Sequence, residues 1–107
     1  MGRSAVGSKQ LAVGMSLKFE WDTKKARLNL AKHAVLFEDA ATVFGDERSV
    51  TIPDPAHSLT EERFVTIGAS DNGKILVVVA TERGDILRLI SARPANRRER
   101  KQYEETD

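Results

Sequence analysis

The chain has 107 residues, 40% of them hydrophobic and 31% charged. That describes one small domain with a single core and excludes a disordered tail or two independent cores. Cysteine is absent and histidine occurs twice, which excludes disulfide staples, thiolate metal sites, cysteine nucleophiles and a His-rich zinc site; no apolar run approaches the roughly 18–20 residues of a membrane span.

The formal net charge of +1 hides an uneven distribution. Residues 1–37 carry seven basic and two acidic side chains, and residues 38–92 carry five and ten. The five basic residues beyond position 92 all fall within 93–101. Charge near zero in total can therefore still yield a basic face if the two ends meet.

Residues 1–14 hold three glycines and two serines. They lack a hydrophobic period and the apolar centre of a signal peptide. They are expected to be a flexible N-terminal lead or tag, with one domain spanning 15–107. Leu17, Phe19 and Trp21 alternate with polar residues, the pattern of a half-buried strand. Asp22 is placed to cap a helix over Thr23–His33, with Ala26, Leu30 and Ala34 as its apolar positions. A second helix is expected over Phe37–Phe44, with Glu38 and Asp39 at its positive end and Gly45 as its C′ residue. Ser49–Ile52 predicts a short strand, and Pro53 and Pro55 force a loop after it. Strands follow at Arg63–Ser70, Lys74–Thr81 and Ile86–Ala92, joined by tight turns at Asp71-Asn72-Gly73 and Glu82–Asp85. Residues 75–80 are apolar throughout, so this strand belongs at the sheet centre. Asn96 and Glu99 have capping-box spacing at the head of a helix running to about Glu105. Tyr103 is the only large apolar side chain in that helix, which predicts weak docking. Short turns demand antiparallel pairing. The fold class is α+β: an antiparallel meander packed against two N-terminal helices, with a polar C-terminal helix and the helices expected on one face of the sheet.

No phosphate loop, dinucleotide fingerprint, serine-hydrolase elbow, zincin or EF-hand motif is present. Asp22, Asp46, Asp54 and Asp85 all sit where caps and turns use aspartate. The remaining chemistry is a set of arginines at strand ends. Arg63 opens a strand, Arg83 sits in a turn, and Arg88 and Arg93 share the last strand. Guanidinium forks suit phosphate, and they equally suit ion pairs with Glu61, Glu62 or Glu82. Simple alternation puts Arg88 and Arg93 on opposite faces. His33 can act as a proton-transfer group or as a cation on the helix C-terminal dipole. His57, in a proline-bounded loop, is expected to be exposed, and Phe19 and Trp21 to be core.

The block Phe19-Glu20-Trp21-Asp22, with Lys25-Ala26, Asn29, Lys32-His33, Val35, Phe37-Glu38, Ala40-Ala41, Val43-Phe44 and Asp46, resembles the opening of the BrnT family of ribonuclease toxins. The resemblance continues through Asp54, His57-Ser58, Glu61-Glu62-Arg63 and Ile67-Gly68. It closes with Thr81, Arg83, Ile90-Ser91-Ala92-Arg93, Ala95, Glu99-Arg100 and Tyr103-Glu104. Ala34 stands where the family often has glycine, and Pro94 where a non-proline residue is common. The resemblance implies a RelE-like fold and a cytoplasmic type II toxin that cleaves RNA and inhibits translation. It also implies a BrnA-type ribbon-helix-helix antitoxin, with operator DNA bound only through that antitoxin and no membrane partner.

RNA cleavage without a metal or other cofactor needs a base at the 2′-OH, cations around the phosphate and a proton for the leaving oxygen. The candidate catalytic residues are Arg63 and Arg93 on the phosphate with Arg83 in support, His33 or Glu62 as base, and Tyr103 for proton transfer. Lys32, Arg97, Arg98, Arg100 and Lys101 are the candidate RNA-binding residues. The alternative is a toxin-like module that binds antitoxin or RNA without cutting.

Overall fold

A computed structural model describes residues 8–13, 17–54 and 62–105. In chain order the elements are β1 (Ser8–Val13), β2 (Leu17–Asp22), α1 (Thr23–His33), α2 (Phe37–Ala41) and a 3₁₀ turn (Thr42–Gly45). They continue with β3 (Val50–Pro53), β4 (Arg63–Ala69), β5 (Ile75–Arg83), β6 (Ile86–Pro94) and α3 (Arg97–Glu104). The six strands form one sheet in the order β1-β2-β6-β5-β4-β3.

The meander from β3 to β6 is antiparallel, as short turns require. The sheet as a whole is mixed, because β2 lies parallel to β6. No hairpin joins those two strands, so nothing imposes antiparallel pairing on them. Ser8–Val13, within the segment read as a flexible lead, pairs antiparallel with β2. Backbone donors and acceptors suffice for an edge strand, so its lack of a hydrophobic period is no bar.

Local signals set the helix starts. Asp22 Oδ1 accepts from the Lys24 and Lys25 amides at 2.7 and 3.3 Å. Asn96 and Glu99 form the reciprocal capping box. The helix ends differ from expectation. α1 stops because Ala34 adopts the left-handed conformation (φ 60°, ψ 34°), the geometry that glycine usually supplies. The second helix gives way to the 3₁₀ turn after Ala41, and the chain leaves through an extended Asp46 rather than a left-handed Gly45.

The burial of α1 also corrects the expected apolar stripe. Leu28 and Leu30 are 61% and 43% exposed, while Asn29 is buried. Asn29 Nδ2 donates to the carbonyls of Ala92 and Val35, and its Oδ1 accepts from the Ala92 amide. This three-bond tie to β6 satisfies a buried amide and makes it the anchor of the helix.

Two clusters cover the two sheet faces. Phe19, Trp21, Val35, Phe37, Ala40, Val43, Leu76, Val78, Ala80, Leu89 and Ala92 pack beneath α1 and α2. Phe19 and Trp21 are thus core, and Trp21 meets the Phe37 ring edge-on at 5.8 Å. On the opposite face Ile67, Val77, Ala95 and Tyr103 form the second cluster. The helices therefore occupy both faces, contrary to the single-face expectation: α3 lies across from α1 and α2. β5 is central, as its apolar run predicts, and contributes to both clusters.

Candidate active site

A β-bulge decides which arginines meet. Ala80 pairs with Leu89, but the next residue, Val79, pairs with Ser91, leaving Ile90 as the extra residue on β6. One inserted residue reverses the alternation of everything beyond it. Leu89 and Ala92 accordingly share the helix-covered core. Arg93 pairs with Val77 of the opposite cluster. Arg88 and Arg93 thus lie on the same face, correcting the parity argument from sequence.

That face carries a row across four strands. Arg63 pairs with Thr81, Thr81 with Arg88, and Arg88 with Glu20. Arg83, two residues beyond Thr81 on β5, shares the face. Glu62 is fixed beside β5 because the Thr81 hydroxyl donates to its carbonyl at 2.6 Å. Glu62, Phe64, Thr81, Glu82, Arg83 and Gly84 line an open hollow of about 480 Å³ at the shared ends of β4 and β5, within the size range of small-ligand sites.

The arginines are held differently. Arg93 makes a two-pronged pair with Glu99, both N···O distances being 2.8 Å. The Arg93 hydrogen bonds hold the Glu99 carboxyl below its ordinary value, and the same contact raises Arg93. Arg93 thereby bridges β6 to α3, with its charge neutralised. Arg88 uses only NH1, 3.0 Å from Glu20 Oε2, with both side chains largely covered. It is anchored yet keeps N–H groups for a ligand. Arg83 is exposed and has no ion pair among the described residues.

Two of the expected proton-transfer groups lie elsewhere. His33 ends α1, on the helix-covered side of the sheet, away from the face of Arg63 and Arg93. Tyr103 is buried beneath α3, and its hydroxyl donates to Asp46 Oδ2 at 2.6 Å. That bond, together with burial, raises the Tyr103 hydroxyl above its ordinary value. Asp46 also accepts from the Ala69 and Arg48 amides, and the Arg48 guanidinium lies 5.5 Å from the Tyr103 ring centre. Tyr103 therefore pins α3.

Arg97, Arg98 and Lys101 are exposed on α3, and Arg100 donates to the Ala95 carbonyl at 3.0 Å. Lys32, on α1, belongs to the other side of the sheet. His57 and Glu61 lie outside the described residues. Among the described residues no three His, Asp or Glu side chains form a group able to hold a metal ion. Arg88 is the residue that the sequence reading left outside the site; the Ile90 bulge, invisible to simple alternation, is what brings it in.

A family model described as "Ribonuclease toxin, BrnT, of type II toxin-antitoxin system" matches residues 21–99. The solved structure of the Brucella abortus ribonuclease toxin BrnT is similar, with 28% sequence identity and a TM-score of 0.57. The alignment covers 72% of this chain and 94% of that one. A search of curated proteins returns no match.

Proposed function

Because the chain belongs to the BrnT family of type II toxin–antitoxin ribonuclease toxins, we propose that its open sheet face cleaves RNA without a metal and thereby inhibits translation in the cytoplasm. The observation that carries this reading is the hollow at the shared ends of β4 and β5, which Glu62 and Arg83 line, with Arg63 opening β4 at the same end of the sheet. Arg63 and Arg83 bind the scissile phosphate and stabilise the charge that builds on it. Glu62 takes the proton of the 2′-OH as that oxygen attacks phosphorus. The bond to the 5′ oxygen breaks, and the leaving oxygen takes a proton from water in the open hollow. The products are a 2′,3′-cyclic phosphate and a 5′-hydroxyl.

Arg88, locked by Glu20, holds a neighbouring phosphate. Its Cα lies roughly 10 Å from that of Arg63, two strand spacings away. Arg97, Arg98 and Lys101 extend the cationic path along α3. Arg93 serves the attachment of α3. The partner that neutralises the toxin is an antitoxin of the BrnA, ribbon-helix-helix type, and operator DNA is reached only through it.

The test is cleavage of a defined RNA with a chelator present, followed by analysis of the product ends. Cyclic phosphate ends are expected, with losses of about 100-fold in Arg83→Ala and Glu62→Gln. Full activity in both variants, or 5′-phosphate ends, refutes the mechanism. The engagement of Arg93 and Tyr103 in structural bonds favours one second reading, a module that binds RNA without cutting it. RNA binding by the parent protein with no cleavage under any of these conditions would select it.

A further inference from the structure

α1 is built inside out for a helix that only packs on its own sheet. It buries Asn29 and leaves Leu28 and Leu30 at 61% and 43% exposure. Leu36, just beyond its end, is 46% exposed. At 3.6 residues per turn, Lys24, Arg27, Leu28, Leu30 and Ala31 make up the half of α1 turned away from Asn29; all five are exposed. Leu30 and Leu36 border one hollow of about 270 Å³ together with Trp21, Ala26, Arg27 and the single acid Glu38. The sequence of α1, TKKARLNLAKH, has four Lys or Arg residues and no acid. An RNA backbone would use these cations but would leave the leucines in water. A partner segment that offers apolar side chains flanked by carboxylates satisfies both.

We propose that the outward half of α1, with Leu36, is the docking surface for an acidic, apolar-studded segment of the antitoxin. This rests on the toxin reading above for the partner's identity. The surface lies across the sheet from Arg63, Arg83 and Arg88, so the antitoxin is anchored on one side while these arginines stay structurally separate.

The test uses a BrnA-type antitoxin, co-expressed with the chain and purified, and two variants of the full chain: Leu28→Glu/Leu30→Glu and Lys24→Glu/Arg27→Glu. Both pairs are exposed, so thermal melts should match the parent. The expected result is a Kd for antitoxin raised by about 30-fold or more in each, the scale of an interface hot spot. RNA cleavage should stay within about twofold of the parent, since neither pair is near the hollow. Antitoxin affinity unchanged in both variants overturns the proposal. So does loss of RNA affinity with antitoxin binding intact, which marks an RNA surface. A parent dimer that the substitutions dissociate also overturns it, assigning the face to a second copy. If a variant fails to fold, hydrogen exchange of the unsubstituted complex decides: slowed exchange across residues 24–36 supports docking there, and no slowing refutes it. A parent that binds antitoxin through α1 yet cuts no RNA would sink the catalytic reading and leave this one standing.

Discussion

Tyr103→Phe isolates the bond that holds α3 to the sheet. The phenyl ring keeps the apolar contact with Ile67 and Val77, and only the hydroxyl that donates to Asp46 is lost. A hydrogen bond to a charged group contributes about 1.5–3 kcal/mol. Asp46 is half-buried and keeps its Ala69 and Arg48 amide partners, which sets the expected loss at the lower end, about 1–2 kcal/mol. For a domain of this size the melting temperature should fall by roughly 5–10 °C. The pH dependence gives an independent signature. Burial pushes the Asp46 carboxyl up, but the Ala69 amide, the Tyr103 hydroxyl and the Arg48 amide outweigh it, leaving the carboxyl below its ordinary value. That contribution is present above about pH 4 and is lost as pH falls through the folded value. The raised Tyr103 hydroxyl contributes below about pH 10 and loses its effect as pH rises through its own folded value. Urea unfolding from acid to alkaline pH should show the parent losing an increment at both ends. The variant should lack the alkaline loss entirely and show a smaller acid loss. A variant within about 0.5 kcal/mol of the parent at neutral pH, the scatter of ordinary surface changes, with an unchanged pH profile, would refute the pin.

Asn29→Ala should cost about 2–3 kcal/mol by urea unfolding, because it strands the buried Ala92 amide and two carbonyls. Gly68→Ala should cost about 1–3 kcal/mol, since the new Cβ would sit 2.9 Å from both Ser49 Cβ and Val43 Cγ1. Ala34→Gly should stabilise by about 0.5–1 kcal/mol, read as a rise in melting temperature, because it relieves the left-handed strain at φ 60°.

The readable parts of this fold are those set by neighbours in sequence. Asp22 and the Asn96–Glu99 pair declare helix starts because the capping acceptor and the amides it serves lie within three residues. The Asp71-Asn72-Gly73 turn fixes β4 against β5 for the same reason, and Gly73 takes the positive φ such a turn needs. Long-range pairing was less legible. Nothing near Asn29 announces that its partners are on β6, so an amide between two leucines reads as surface and the leucines as core. The antiparallel turns say nothing about β2, whose parallel place beside β6 depends on contacts formed after the whole meander is in place.

The site follows the same division. The positions of Arg63, Arg83 and Glu62 at strand ends were legible because turns and strand boundaries are local properties. The separation of His33 from Arg63 and Arg93 was not legible, because membership of one short block of sequence does not fix which side of a sheet a helix covers. The Ile90 bulge is the decisive case. Ile86-Leu87-Arg88-Leu89-Ile90 alternates cleanly, and nothing in its composition marks an inserted residue. The insertion is favoured only when Leu89 and Ala92 must both enter the core beneath α1, three positions apart, a spacing that regular alternation forbids. The core thus sets the register, and the register turns Arg93 toward α3 and away from the helices. Arg93 then meets Glu99, whose place is fixed by the Asn96 cap. A packing demand on one face of the sheet therefore determines which cations gather on the other.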